Sequence, residues 1–224
     1  MMGKCWLPTA LLLIFSATAL CSGRDLATDV EAAHTDLLLL SASSSSIFFR
    51  TNDIKMLYSN EFLTAVSDIA TKFSEMGVDI AIIDKFVADM NQTEQSANNL
   101  LQLQLNTFQG YEERVHTYEE NLLTNLPLIP ENLVQLRKDT DTSSSIYMAV
   151  DNNLNTYINF FQTEVNAVLA NENGPTVEEV QALLQSVVDQ ESQARVSLTA
   201  AKAQFDERFV SADASLALVA GQVL

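Results

Sequence analysis

The chain has 224 residues, with 29 Asp plus Glu against 12 Lys plus Arg and a formal net charge of −17. That balance repels a phosphate backbone, so nucleic acid is excluded as a partner, and it disfavours attraction to anionic headgroups. Six glycines and four prolines are too few for a turn-rich β-sandwich or a Gly-rich phosphate loop.

Residues 1–23 read as a secretory signal. Lys4 is the basic start, Leu7 to Phe15 is an apolar core too short to span a bilayer, and Ser16 to Gly23 is a small-residue stretch suited to cleavage. Cuts after Ala19, Cys21 or Gly23 fit the pattern. Processing at any of them removes Lys4, Cys5 and Trp6, and takes the net charge to −18. Cys21 survives only the first cut, as a lone thiol open to an intermolecular disulfide. A secreted chain without a cysteine pair is held by its apolar core alone. No later run is long and apolar enough for a transmembrane helix. The expected localisation is extracellular, with residues 24–224 as a single helical-bundle domain.

From there the chain is a succession of apolar residues spaced three and four apart, the mark of one buried face on a helix. The first helix is predicted over about 26–76. Its stripe starts at Leu26, Val30, Ala33, Leu37, Leu40 and Ile47, with Ser44 in a gap, and resumes at Phe62, Val66, Ile69 and Phe73. A kink is expected at Arg50 to Asp53. Gly77 with Asp79 marks a break. The second helix, about 79–125, carries Ile83, Met90, Ala97, Leu101, Phe108, Tyr111, Val115, Tyr118 and Leu122, interrupted by Glu94 and Gln104. Pro127 and Pro130 end it. The third, about 131–171, carries Val150, Leu154, Ile158, Phe161 and Val165. Gly174-Pro175 stops it, and Thr176 to Glu179 reads as a capping box for the fourth, about 176–221. That stripe is Val180, Leu184, Val187, Ala194, Leu198, Ala201 and Phe205.

Four similar lengths with short connectors predict an all-α fold, an elongated antiparallel four-helix bundle. The register passes through Gly77 unbroken, so the alternative is a three-helix or coiled-coil-like rod with one continuous helix over about 60–122. In the bundle, Ser41 and Ser43 to Ser46 come to the same height as Thr140, Thr142 and Ser143 to Ser145. Gln102, Gln104, Asn106 and Gly110 reach about that level, as do Ala200, Ala201 and Ala203. Such a waist brings backbones close or leaves a cavity; surface serine on long helices is the plainer reading.

Both histidines follow a glutamate by three residues, as Glu31-x-x-His34 and Glu113-x-x-His116, a spacing used by di-iron bundles. Their phase opposes it, since these residues lie about 100° off the stripe residues Val30, Ala33 and Val115. They read as surface pairs, with no metal and no cofactor. No Gly-x-Ser-x-Gly, EF-hand or phosphate loop is present, and adjacent acids such as Glu112-Glu113 diverge on a helix. An enzyme is not expected, and no catalytic residue is assigned. Asn91-Gln92-Thr93 is a glycosylation sequon, which makes Asn91 the candidate modification site.

A cysteine-free series of amphipathic helices behind a signal resembles the exchangeable lipid-binding apolipophorins in composition and architecture, though in no motif. That resemblance implies an extracellular carrier of lipid or another apolar ligand. Against it, such helices flank their apolar face with Lys and Arg, and this chain has few. The expected role is therefore non-enzymatic binding to a protein partner or self-association.

Overall fold

The computed structural model describes residues 25–170 and 172–223, so the signal segment 1–23 and both cysteines lie outside the described residues. Helix accounts for 95% of what is described, with no strand. The elements are α1 (Leu26–Leu57), a π-helical turn (Tyr58–Phe62), α2 (Leu63–Glu75), α3 (Ile80–Thr124), α4 (Ile129–Leu169) and α5 (Pro175–Val223). The π turn joins α1 and α2 into one rod. The four rods pack as an antiparallel bundle, α1 against α3 and α5, and α4 against α3 and α5. At 1.5 Å per residue the longest helix, α5, extends over about 70 Å. No described helix is long and apolar enough to cross a membrane.

Polar contacts between helices fix the directions. Gln222 near the end of α5 reaches Asp29 at the start of α1, and Lys72 at the end of α2 pairs with Glu179 at the start of α5 (2.8 Å). Arg137 near the start of α4 pairs with Asp213 near the end of α5. The two ion pairs, at or near the surface, set orientation more than stability. The free energy comes from the stripes, which merge into one apolar core running the length of the bundle.

The break at Gly77 is a complete helix stop. Gly77 has φ +82°, its amide donates to the Ser74 carbonyl, and the Val78 amide donates to the Phe73 carbonyl, both at 3.0 Å. This is a Schellman closure, and Val78 packs onto the core beside it. Asp79 then caps α3, its carboxylate accepting from the Ala81 amide at 2.8 Å. A positive φ cannot continue a helix, so the continuous rod over 60–122 is overturned. An unbroken heptad across a short connector is compatible with a reversal of direction.

Two local expectations are also corrected. Arg50 and Asp53 pair at 3.2 Å on the outside of an unbroken α1, and the irregularity falls later, at the π turn. The spacing explains it. Ile54, Tyr58, Phe62 and Val66 are three successive steps of four, each carrying the stripe about 40° round a regular α-helix. A wider turn takes up that drift and keeps Tyr58, Phe62 and Val66 all inside. At α5, the helix starts at Pro175, whose fixed φ suits a first helical position. Thr176 is therefore inside the helix and forms no capping box, and Glu179 turns to Lys72 instead.

The waist is only partly as expected: Gln104 and Ala201 are buried, Gln102, Asn106, Ala200 and Ala203 are exposed, and the serines divide. Ser41, Ser43, Ser44, Thr140 and Ser143 are buried, whereas Thr142 and Ser145 are exposed. The Ser44 hydroxyl donates to the Phe108 carbonyl on α3 (3.2 Å), and the hydroxyls of Tyr111 and Thr140 share a 2.8 Å bond. Large rings fill the space opposite: Phe205 of α5 stands edge-on to Phe108 and Tyr111, at centroid distances of 5.6 and 5.2 Å. Gln104 donates to the Thr51 hydroxyl at 2.8 Å, which is why a glutamine interrupts the α3 stripe at no exposure to solvent.

Two outcomes follow from this framework. Gly77→Ala leaves the side chain in open space but in an unfavourable backbone region, so urea denaturation should show a loss of about 1 kcal/mol. Asp139 is buried and accepts from Arg114 Nε (2.8 Å), the Tyr118 hydroxyl (2.8 Å) and Gln135 Nε2 (3.0 Å). Asp139→Ala strands these donors and should cost about 2–3 kcal/mol, against about 1 kcal/mol for Tyr118→Phe.

Candidate functional site

The feature that packing does not account for lies between α4 and α5, in a groove of about 630 Å³. The α5 side presents Val188, Glu191, Ser192 and Arg195, positions three and four apart that share one helix face. Asp151, Asn155 and Ile158 face them from α4. Arg195 bridges the walls: its Nη2 donates to Asp151 Oδ1 at 2.9 Å and its Nη1 to Asn155 Oδ1 at 3.2 Å.

Glu191 is the anomaly. It is 2% exposed, and its Oε1 has no hydrogen-bond partner. Arg195 Nε is the nearest cation at 3.7 Å, too far for a hydrogen bond, because the guanidinium is committed to Asp151 and Asn155. Beside it is Tyr58, the first residue of the π turn, fully buried with its hydroxyl also unpartnered. Tyr58 packs at a tilt on Phe62, with ring centroids 5.3 Å apart, and Phe62 meets Phe161 at 4.9 Å, so the ring is wedged in place. A π turn in a long helix is often found at a functional position.

The electrostatics follow from the burial. Loss of water pushes the Glu191 carboxyl up to about 7; Arg195 opposes the rise and Asp151 adds to it. Burial likewise drives the Tyr58 hydroxyl well above the ordinary tyrosine range, helped by the Glu191 charge. An acid that titrates near neutrality in a groove is a known mark of a working site, although here it stands on geometry first.

Of the residues singled out from sequence, Asn91 is exposed on α3, and Thr93 of its sequon is buried with its hydroxyl on the Asp89 carbonyl at 2.9 Å. The histidines do not pair with Glu31 and Glu113. Both close on Glu119: His34 Nε2 lies 2.9 Å from Oε1, and His116 Nδ1 lies 3.1 Å from Oε2. The partners are corrected from Glu31 and Glu113 to Glu119, which His116 meets at i,i+3 on α3 and His34 meets from α1. No group of three or more His, Cys, Asp or Glu among the described residues is placed to hold a metal ion.

Sequence reasoning passed over Glu191 and Tyr58. The signal for Glu191 was present: it stands four after Val187 and three before Ala194, a charged residue on a stripe position. Tyr58 likewise stands midway between Ile54 and Phe62. Comparison with protein-family models, with curated proteins and with solved structures finds no match to this chain.

The raised Glu191 carboxyl makes stability depend on pH. The unfolded chain loses this proton near 4.5, the native one only near 7. Between those values the folded state binds the extra proton, so stability falls as pH rises through the window and levels off above it. At about 1.4 kcal/mol per pKa unit the cost is about 3–4 kcal/mol. Glu191→Met should therefore be more stable than the native protein at pH 8, and that advantage should shrink on lowering the pH towards 4.5. Thermal melts at both pH values measure it.

Proposed function

We propose that this chain is a secreted, acidic helical protein that acts without catalysis, by contact with a protein partner or with further copies of itself. The observation that carries the reading is a strip on the outside of α1. Leu38, Phe49 and Met56 are 44%, 64% and 52% exposed. Their spacings of 11 and 7 bring them within about 20° of one helix face, roughly opposite the buried stripe. Ala42 and Asn52 fall between them, and the one charge beside the strip, Asp53, is paired with Arg50, so the face carries no unpaired charge over about 27 Å. In a chain of net charge −17, such a run holding an exposed Phe is suited to contact.

The carrier reading draws on the likeness to apolipophorins. It is less favoured because Phe108, Tyr111 and Phe205 occupy the waist where cargo would sit, and the helices would have to part to admit it. Glycosylation at Asn91 is compatible with either reading, since that side chain faces out.

Light scattering on the purified protein tests the proposal. Association should strengthen as the pH falls towards the sequence pI of about 4.2, because repulsion between copies fades. Phe49→Glu combined with Met56→Glu should weaken it at least tenfold. Moderate salt should raise the melting temperature by screening the same repulsion. A protein that stays monomeric, binds no partner and floats with liposomes would move the assignment to the carrier.

A further inference from the structure

We propose that the α4–α5 groove binds an organic cation, an alkylammonium or alkylguanidinium group whose charged end meets Glu191 and whose stem lies along Ile158, Val188 and Val196. This inference is separate from the contact strip on α1 and would stand if that strip proved inert.

Three observations converge on it. The first is the unmet acceptor. Glu191 Oε1 is buried and without a donor, and the one nearby cation, Arg195, is held 3.7 Å away by its bonds to Asp151 and Asn155. A buried carboxylate needs donors, and the chain supplies none. The second is the neighbour. The Tyr58 hydroxyl does not line the groove and is buried without a partner, so the π turn supplies Glu191 no donor either. The third is the balance of charge. Asp151 and Glu191 bring two negative charges and Arg195 one positive, and the groove is lined by no lysine. One added cation brings the site to neutrality. An anion would meet two carboxylates. A neutral polyol would donate hydrogen bonds but leave a net buried charge.

The walls choose among cations. Ile158 and Val188 are at least partly buried and Val196 is 67% exposed, so an apolar stem has a surface to cover from the mouth inward. A hydrated metal ion has no use for that surface. A free amine and a lysine or arginine side chain of another protein share this chemistry. The groups that face Glu191 are Tyr58 from the π turn, Asp151 from α4 and Arg195 on its own helix, with Tyr157 beside Tyr58. With the site empty, Glu191 keeps its proton up to about neutral pH. A bound cation takes the carboxylate form, so binding releases a proton and weakens on acidification.

Calorimetric titration of the intact secreted protein with n-butylammonium and n-butylguanidinium tests this, with n-butanol as the neutral control. Saturable binding of either cation is expected at pH 8, about tenfold weaker at pH 6, with no binding of butanol. Glu191→Gln should weaken it at least tenfold. General attraction to a chain of net charge −17 would scarcely register that single change. Val196→Lys, which tethers a cation at the exposed mouth, should block the added amine and checks the result should Glu191→Gln fold poorly. A lysine-containing tripeptide that binds in a Glu191-dependent way where n-butylammonium does not would assign the cation to a partner's side chain. No saturable binding of any cation, or affinities unchanged in Glu191→Gln and between the two pH values, would overturn the proposal.

Discussion

Everything in this molecule depends on burying one apolar stripe per helix against two neighbours. The described residues bring no disulfide to the task, and the charge of the chain works against compaction. The exposed ion pairs contribute little, so the stripes must carry the stability. That demand explains features that would otherwise look arbitrary. The π turn exists because three steps of four would rotate Val66 out of the core. The Schellman stop at Gly77 exists because the core must be met from the other side by α3.

Polar groups inside such a core have two fates here. At the waist several bond across helices: Ser44 on the Phe108 carbonyl, Gln104 Nε2 on Thr51, and Asp139 with its three donors, while Gln104 Oε1 and Ser143 Oγ are left without partners. These bonds specify which helix lies next to which, since a sliding bundle would strand them. Among the buried atoms left without a partner, Glu191 Oε1 alone belongs to a carboxylate, and it sits as deep as its apolar neighbours. The difference in charge makes the α4–α5 groove stand out.

The architecture was legible because helix boundaries rest on local chemistry. Gly77, Asp79, Pro127, Pro130 and Gly174-Pro175 act within a few residues of themselves, so their effects can be read along the chain. The antiparallel order follows from connectors too short for anything else. What was hidden is whatever one helix does to another. His34 reaches Glu119 across a seam that no spacing announces, where it joins His116, which lies on the same helix as Glu119. The filling of the waist by Phe205 depends on a fourth helix more than ninety residues along the chain from Phe108 and Tyr111. Glu191 was the near miss: its stripe position was visible, but only the committed geometry of Arg195 shows that it is left without a donor.

The π turn has a consequence for how this chain can vary. It amounts to one residue more than a regular helix needs between Leu57 and Leu63, accommodated without disturbing the helices on either side. Loss of a single residue such as Ser59 would let the rod close into uninterrupted α-helix while α1 and α2 kept their faces inward. The bundle would survive without the widened turn that begins at Tyr58. The length of this short stretch thus records whether a related chain has kept that turn or closed it into regular helix.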